Sequence, residues 1–345
     1  MKKYSFMNDY SEGAHPSVLE WLARTNLDQE DGYGLDTLTL QAADLLRQAA
    51  GNPAAEVHFV SGGTQANLIG LSSMLRSFES VIAVNTGHIY VHEAGSIEAT
   101  GHKVNIVQSP DGKITGAQVR AVVAEHTDEH MVRPRAVYIS NSTEVGTVYS
   151  KAELESVSQA CRDLNLYLFL DGARIGSALT STEADYTLPE LSALVDMFYI
   201  GGTKNGALLG EAVVINNPVL QPDFRFHLKQ KGALLAKGRL LGIQFLALFQ
   251  DGLYLKLARH ANLMAERLTL GIRALGFDFL SASTSNQIFP VFTYPVIHEL
   301  EKDYSFYTWC PVDETCAAAR LVTSWATPEA KVDEFLQDLK ALARS

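Results

Sequence analysis

The segment FYIGGTKNGALLG (Phe198 to Gly210) places one lysine, Lys204, in an apolar run with glycines on both sides. One interpretation is a surface lysine in a loop between two strands. The other is an amine that faces a pocket, where burial lowers its pKa and makes the nitrogen a nucleophile toward a carbonyl carbon. The segment by itself does not choose between them, so other residues along the chain must decide.

A glycine-containing turn lies in HFVSGGTQANLIGL (58–71), between a predicted strand and a predicted helix. Gly63 and Thr64 would stand at the helix N-terminus, where free backbone N–H groups and the helix dipole attract an anion such as a phosphate. The turn matches neither a Walker A loop nor the G-x-G-x-x-G loop of dinucleotide-binding proteins. A simple turn in which Thr64 caps the helix is the alternative.

A carboxylate, Asp171, ends the apolar run of YLFLDGARIG (167–176), and Arg174 follows three residues later. The carboxylate either caps the next segment or pairs with a cation of a ligand at the mouth of a pocket. Lys204 comes 33 residues after it (204 − 171), beyond one more predicted strand. That spacing could bring the amine and the carboxylate to the same edge of a sheet.

Two histidines, His88 and His92, stand four residues apart in TGHIYVHEAGS (86–96), with Glu93 next to the second. The spacing suits a pair of metal ligands, but the HE-x-x-H order is absent and no third ligand is apparent, so we expect no metal. The other interpretations are a structural histidine and an imidazole that stacks on an aromatic ligand.

The order of these features along the chain is more specific than any one of them. A lysine can hold an aldehyde as a Schiff base, and an aspartate can keep a pyridine nitrogen protonated. A turn at a helix start can bind a phosphate, and a histidine can lie on an aromatic ring. These are the requirements of pyridoxal 5′-phosphate, whose protonated ring acts as an electron sink. The sequence therefore predicts this cofactor.

The sequence resembles the threonine aldolases, of the β-eliminating lyase group in the aspartate-aminotransferase-like fold. The likeness covers nearly the whole chain, and it is carried by FMNDYSEGAHPSV near the start, DGYGLDTLTLQAADLL (31–46), GGTQAN, GHIYVHEAG, LDGARI, GGTKNG and ARLVTSWATPEAKVDEF (319–335). LDGARI is the most specific match. GGTKNG is looser, because the family more often has Ser where this chain has Thr203, which we count among the cofactor-binding residues.

The resemblance implies roles around the cofactor. Lys204 would be the Schiff-base lysine and Asp171 the partner of the pyridinium. His88 would stack on the ring, while Gly63 and Thr64 would hold the phosphate.

The resemblance also implies a substrate site. Arg174 and Arg320 would bind the α-carboxylate of an amino acid, because guanidinium forks suit that group, and each has a surface ion pair as its alternative interpretation. Asn8 stands where the family usually has a serine beside that carboxylate. NSTEVG (141–146) lacks the histidine that lies near the β-hydroxyl in the family, and Glu144 is either its substitute as a base or a solvated loop residue.

The leading functional hypothesis is retro-aldol cleavage of a β-hydroxy-α-amino acid, such as threonine or allo-threonine, to glycine and an aldehyde. The alternative keeps the cofactor but removes the α-proton, which gives β-elimination or transamination, and the missing histidine keeps it open. A catalytically silent binding protein is a third hypothesis, against which the presence of Lys204, Asp171 and both arginines speaks. A metal-dependent hydrolase that uses His88 and His92 is the fourth.

The elements that must position these residues alternate between apolar strands and amphipathic helices from about 36 to 215. Candidate strands are 57–60, 80–84, 103–108, 135–140, 166–171, 197–201 and 212–215, and candidate helices are 115–126 and 151–165. This alternation predicts an α/β fold with a mostly parallel sheet between helices, and the resemblance implies the type I fold of pyridoxal-phosphate enzymes. We expect a large domain of residues 1–250 and a smaller α+β domain of residues 251–345.

Composition excludes several other classes. The net charge of −11 argues against nucleic acid or an anionic membrane as a partner. Three cysteines without C-x-x-C spacing indicate neither a disulfide framework nor a zinc site. No run approaches 18 apolar residues, and no apolar segment follows the N-terminal lysines, so we expect a cytoplasmic protein without a membrane span. Tyr33 matches a family tyrosine near a subunit interface, which implies a homodimer or homotetramer.

Overall fold

The computed structural model describes residues 3–343 of the chain. Within this range the strands are β1 (Tyr4–Ser5), β2 (Glu56–Val60), β3 (Glu79–Val84), β4 (Val104–Val107), β5 (Arg133–Ser140), β6 (Tyr167–Asp171), β7 (Met197–Gly201), β8 (Glu211–Ile215), β9 (Gln287–Ile288), β10 (Val291–Thr293), β11 (Tyr304–Ser305), β12 (Tyr307–Pro311) and β13 (Cys316–Val322). The helices are α1 (Pro16–Arg24), α2 (Thr37–Ala49), α3 (Gly63–Met74), α4 (His88–Val91), α5 (Ser96–Ala99), α6 (Gly116–Glu125), α7 (Lys151–Asp163), α8 (Ile175–Leu179), α9 (Leu188–Ser192), α10 (Phe224–Gln230), α11 (Arg239–Phe249), α12 (Leu253–Ala274), α13 (Tyr294–Leu300) and α14 (Glu329–Leu342), with a 3₁₀ turn at Pro218–Leu220.

A seven-stranded sheet forms the centre of the molecule, in the order β2-β8-β7-β6-β5-β3-β4. Pairing is parallel from β7 through β6, β5 and β3 to β4, and β8 is antiparallel to both of its neighbours. These strands are the seven that the sequence predicts, with boundaries that differ by at most two residues. The prediction of a mostly parallel α/β sheet is therefore confirmed.

Helices cover both faces of this sheet. Alternate residues of a strand point to opposite faces, so Ile82 and Leu168 join one core cluster while Val81 and Phe169 join the other. The predicted helices 115–126 and 151–165 form as α6 and α7, and each begins with a capping box that satisfies its first free N–H groups. Because both faces are buried, a strand at the centre of the sheet such as β7 is apolar and buried along its whole length.

The C-terminal part contains a smaller antiparallel sheet, in the order β10-β13-β12, with β9 paired to β13. The N-terminal end of the described chain joins this part, because β1 pairs in parallel with β11 and Phe6 is fully buried in the same core cluster. The residues after Phe6 are thereby carried toward the central sheet. The boundary at residue 250 falls between α11 and α12, and the division into two domains stays a prediction.

Within residues 3–343 no single helix is long and apolar enough to cross a membrane. The pair α11 and α12, bent by 72°, passes that test only when the two helices are taken together.

Gly172, the residue after β6, leaves no room for a side chain. A Cβ there would overlap the carbonyl oxygen of Tyr199, because Gly201 N–H donates to the Gly172 carbonyl at 3.0 Å and draws the two chain segments together. We expect Gly172→Ala to lower the free energy of unfolding by about 3 kcal/mol or more, measured by urea denaturation. Gly13→Ala is the control, because nothing lies within 4 Å of its added Cβ. Equal stability of the two variants would contradict this reading.

Candidate active site

The predicted residues converge at one edge of the central sheet, where the carboxyl ends of the parallel strands meet. Asp171 ends β6 and lies beside Ser140, which ends β5. Gly201 ends β7, three residues before Lys204. The turns after β2 and β3 carry the other predicted residues. Ligands of open parallel sheets bind at this edge.

Asp171 is a buried carboxylate that accepts four hydrogen bonds. Tyr138 O–H (2.6 Å) and Asn67 Nδ2 (3.0 Å) donate to Oδ2, while Tyr199 O–H (2.5 Å) and the backbone N–H two residues ahead (2.9 Å) donate to Oδ1. Burial alone would raise the pKa of Asp171, but the charge of His88 and the two hydroxyls outweigh it, so the pKa lies below its ordinary value. No donor among the four carries a formal charge. Asp171 is therefore a buried anion without a directly bonded cation.

His88 begins α4 and is fixed through its ring. Its Nδ1 lies 2.8 Å from Oε1 of the buried Glu93, and that carboxylate also accepts from Asn67 Nδ2 (2.7 Å) and Ser96 Oγ (2.6 Å). Burial lowers the pKa of His88, but Glu93 and Asp171 outweigh this effect and the net shift is upward. The side chain keeps 33% exposure, so a fixed ring stays accessible.

Lys204 follows β7 in a turn and is partly buried. Its Nζ has no hydrogen-bond or ion-pair partner among residues 3–343. Burial lowers the pKa of Lys204, and the charge of Arg174 adds to this, against the opposing effect of Asp9. A lowered pKa favours the neutral amine, which is the nucleophilic form. The surface-lysine interpretation does not fit this environment.

Glu211, the first residue of β8, holds the loop that carries the lysine. Gly202 N–H donates to its Oε2 at 2.8 Å, and Thr203 Oγ1 in turn accepts from Gly210 N–H at 2.9 Å. Burial raises the pKa of Glu211 to about 7. This glutamate was not among the predicted residues, although a charged side chain that opens an apolar strand is a visible signal.

Glu211→Gln is expected to stabilise the protein at alkaline pH. Because its pKa rises from 4.5 to about 7 on folding, the folded state favours the protonated form, and the associated stability is lost as pH rises through 7. The free energy of unfolding of the variant should exceed that of the natural protein by up to about 3 kcal/mol at pH 8, and the difference should shrink toward pH 5. Urea unfolding at both pH values measures this, with the exposed Glu155→Gln as control. A difference that does not depend on pH would contradict it.

The start of α3 is open to an anion. Gly62 is the residue before the helix and supplies no side-chain cap, and Thr64 is exposed instead of capping the helix as the alternative interpretation held. The first N–H groups of the helix therefore point out of its end without side-chain partners. A side chain at Gly63 would crowd the site, because its Cβ would lie 3.0 Å from the hydroxyl of Tyr199.

Arg174 forms a buried ion pair that the sequence did not predict. Its Nε and Nη2 donate to the two carboxylate oxygens of Asp9 at 2.7 and 3.0 Å, and Asn286 Nδ2 donates to the same carboxylate at 2.9 Å. Within the described range Nη1 of Arg174 has no hydrogen-bond partner. Asn8 uses its Oδ1 to accept from Tyr10 N–H at 3.0 Å.

Arg320, on β13, is a cation without an ion-pair partner in the described part of the chain. Its Nε and Nη2 both donate to Gln287 Oε1, at 3.2 and 2.6 Å, and its guanidinium lies 5.6 Å from the centre of the Trp309 ring. Burial lowers the pKa of Arg320 to about 10, and the charge of Arg174 adds to this effect. A second cation close by and no anion in contact make this an environment for a carboxylate ligand.

Glu144 is held inside the site. Its Oε1 accepts from Ser140 Oγ at 2.6 Å and from the backbone N–H of His88 at 2.9 Å. Its Oε2 is buried and has no partner among the described residues. Burial raises the pKa of this carboxyl group. Glu144 is therefore not a solvated loop glutamate.

Comparison with known proteins gives the family. A family model described as Beta-eliminating lyase matches residues 9–293. The chain belongs to the β-eliminating lyase family. It is 36% identical to the low-specificity L-threonine aldolase of a Pseudomonas species, over 98% of this chain and 97% of that one. Among solved structures, this β-eliminating lyase is similar to Leishmania major threonine aldolase, with a TM-score of 0.97, 50% identity and coverage of 99% of both chains. Aspartate aminotransferase of Thermus thermophilus, at a TM-score of 0.70, 15% identity and coverage of 99% of this chain and 91% of that one, shares the fold.

Pyridoxal 5′-phosphate is the cofactor of this β-eliminating lyase, as the sequence predicts, and the residues at the sheet edge fit it. Among the described residues, Asp171 offers a buried anion that lacks a bonded cation, and Lys204 offers an amine that lacks a partner. The uncapped start of α3 suits the phosphate, and the accessible ring of His88 suits an aromatic ligand. In residues 3–343 no group of three or more His, Cys, Asp or Glu side chains could hold a metal ion.

Several site residues of this β-eliminating lyase escaped the sequence reasoning because they act through other residues. Asp9 is the ion-pair partner of Arg174, and the hydroxyls of Tyr138 and Tyr199 donate to Asp171. The amide of Asn67 donates to the carboxylates of both Glu93 and Asp171. The two tyrosines occupy strand positions where an aromatic residue suggests only core packing.

Proposed function

We propose that this member of the β-eliminating lyase family cleaves the Cα–Cβ bond of a β-hydroxy-α-amino acid, such as threonine or allo-threonine, and releases glycine and an aldehyde. The proposal rests on one observation. The amine of Lys204 has no partner among the described residues, and it lies near the buried anion of Asp171. A relative that is 36% identical over 98% of this chain bears the name of an L-threonine aldolase and supports it. Bound pyridoxal 5′-phosphate supplies an electron sink for the bond that breaks.

Six residues would hold the cofactor, and one of them is Thr203, which precedes the lysine in the turn after β7. Lys204 Nζ would anchor its aldehyde carbon, and Asp171 would keep the ring nitrogen protonated because its pKa is held low. His88, fixed by its bond to a buried carboxylate, would lie against the ring. The backbone N–H groups of Gly63 and Thr64 would bind the phosphate.

Two arginines would orient the substrate. Arg320, which has no anion in contact, would bind the α-carboxylate, with Nη1 of Arg174 and the amide of Asn8 nearby. Asp9 would fix Arg174 by occupying its other two donor positions. By holding the carboxylate, the two arginines would restrict rotation of the substrate about its bond from nitrogen to Cα, and they would thereby select which bond of Cα is broken.

The second candidate function is β-elimination or transamination with the same cofactor. The loop 141–146 favours it, because it lacks the histidine that the resemblance leads us to expect near the β-hydroxyl. Purified protein with pyridoxal phosphate should be given L-threonine, L-allo-threonine, L-phenylserine, L-serine and L-cysteine. Glycine and the matching aldehyde are expected from the first three. Ammonia and a keto acid from L-serine or L-cysteine, without glycine from the others, would establish the second candidate instead.

A homodimer or homotetramer is part of the proposal. Apolar side chains at and near Tyr33 stay 43–74% exposed in one chain, and they are Tyr33, Leu35 and Phe226. Tyr33 is tied to α10, since Arg225 Nη2 donates to its carbonyl at 3.2 Å and Lys229 Nζ lies 4.9 Å from its ring centre. A second copy would cover this face, and light scattering of the purified protein measures the mass. We also infer a cytoplasmic location, which cell fractionation tests.

A further inference from the structure

His92 has no part in the site described so far, although it stands at its rim. It follows α4, and its backbone N–H donates to the carbonyl of His88 at 2.9 Å. The two imidazole rings are 5.6 Å apart, centre to centre. The side chain of His92 is exposed, and its ring nitrogens have no hydrogen-bond partner among residues 3–343. A ligand in the site would therefore meet an imidazole with both nitrogens available.

The charges around His92 are cationic. Burial lowers its pKa, and His88, Arg320 and Lys204 lower it further. These groups come from α4, β13 and the loop after β7, and no carboxylate among the described residues opposes them at this ring. The lowered pKa favours the neutral imidazole of His92, which is the form that can accept a proton.

The position of His92 relates it to the β-carbon of a substrate. In the proposed function the amino group of the substrate lies where Lys204 is attached, and its carboxylate lies on Arg320. The α-carbon then lies between the positions of Lys204 and Arg320, the two side chains that both lower the pKa of His92. The β-carbon, which carries the hydroxyl group, is the third non-hydrogen substituent of that α-carbon. His92 is the C-cap residue of α4, the short helix that begins with His88, and His88 is the residue proposed to lie against the cofactor ring.

Glu144 is the rival for this role, and its contacts count against it. Its Oε1 is occupied by Ser140 Oγ and by the backbone N–H of His88. Its Oε2 is buried and has no partner among the described residues. A carboxylate oxygen that is closed to solvent is harder for a substrate hydroxyl to reach than the exposed ring of His92.

We propose that His92 is the catalytic residue that accepts the β-hydroxyl proton, in place of the histidine missing from residues 141–146. This proposal rests on the proposed function. An unprotonated ring nitrogen of His92 takes the proton, and the O–H electron pair becomes the second C–O bond of the aldehyde. The electron pair of the Cα–Cβ bond leaves toward the bound cofactor, and the imidazolium afterwards returns its proton to solvent.

The test compares two reactions of the holoenzyme. One is cleavage of L-threonine, and the other is exchange of the α-hydrogen of glycine with solvent deuterium, which uses the same cofactor and carboxylate site but no β-hydroxyl. His92→Asn is expected to lower kcat for cleavage by about 10²- to 10⁴-fold and to leave glycine exchange near that of the natural enzyme. The acidic limb of the pH profile of cleavage should disappear with it. His92→Gln repeats the test if the first variant does not fold.

The controls separate the possible outcomes. His130→Asn changes an exposed histidine elsewhere and should alter neither reaction, and the visible absorbance of the bound cofactor reports an intact site in every variant. Cleavage that survives in His92→Asn, or an equal loss of both reactions, would overturn the assignment. Cleavage lost selectively in Glu144→Gln and kept in His92→Asn would transfer the role to Glu144. A natural enzyme that exchanges glycine but cleaves no β-hydroxy amino acid would instead refute the proposed function itself.

Discussion

Lys204→Ala protein is expected to bind pyridoxal 5′-phosphate without a covalent bond and to have no measurable turnover. The natural protein should show the visible absorbance of a lysine-linked cofactor, and after borohydride reduction the peptide that contains Lys204 should carry the mass of the cofactor. Loss of the covalent residue of a catalytic unit lowers kcat by on the order of 10⁴- to 10⁶-fold. The physical reason is that the other two basic side chains described in the site, Arg174 and Arg320, carry guanidinium groups, which stay protonated at neutral pH.

Lys340→Ala is the matched control, because that lysine is exposed on α14, away from the sheet edge. It should retain the absorbance, the mass shift and full activity. A cofactor mass on another lysine in the natural protein, or unchanged activity in Lys204→Ala, would remove Lys204 from the site.

Asp171→Asn is expected to lower kcat by on the order of 10²- to 10³-fold while the cofactor still binds to the lysine. The substitution keeps the shape of the side chain but removes the negative charge, so the ring nitrogen is no longer held protonated and the ring becomes a poorer electron sink. The measurement is single-turnover cleavage of L-threonine together with the absorbance spectrum of the bound cofactor.

Tyr199→Phe separates charge from hydrogen bonding. It removes the donor that lies 2.5 Å from Asp171 Oδ1 and leaves the carboxylate in place. We expect kcat to fall by about tenfold or less. One hydrogen bond to a charged group contributes about 1.5–3 kcal/mol, and only part of that contribution changes during the reaction. Equal losses in Tyr199→Phe and Asp171→Asn would show that the geometry of the site, and not the charge, is what matters.

The central sheet was predictable because parallel strands that are buried on both faces consist largely of consecutive apolar residues in the sequence. The strand MFYIG, for example, is buried along its whole length and was predicted to the residue. The parallel pair β1 and β11 was not predictable, since it joins two-residue strands about 300 positions apart and neither has a pattern of its own. Short strands of this kind are decided by tertiary contacts and not by local sequence.

The distinction between features set by local sequence and features set by tertiary contacts also applies to the residues of the site. Residues that end a strand or stand beside a glycine turn, such as Asp171 and Lys204, could be found because the topology of an α/β sheet brings strand ends together. Asp9 could not, because it reaches Arg174 only after the N-terminal segment has docked on the C-terminal sheet. Glu144 was found but its environment was not, because its Oε1 accepts from the backbone N–H of His88, which lies in another loop.

The most direct measurement is the stoichiometry of L-threonine conversion by the purified protein with pyridoxal phosphate, with Lys204→Ala as the blank. Glycine and acetaldehyde should each form in a one-to-one ratio to the L-threonine consumed, with no ammonia and no signal in the blank. Ammonia and 2-oxobutanoate in place of glycine would contradict cleavage of the Cα–Cβ bond. Glycine formed equally by the blank would contradict the site built around Lys204 and Asp171.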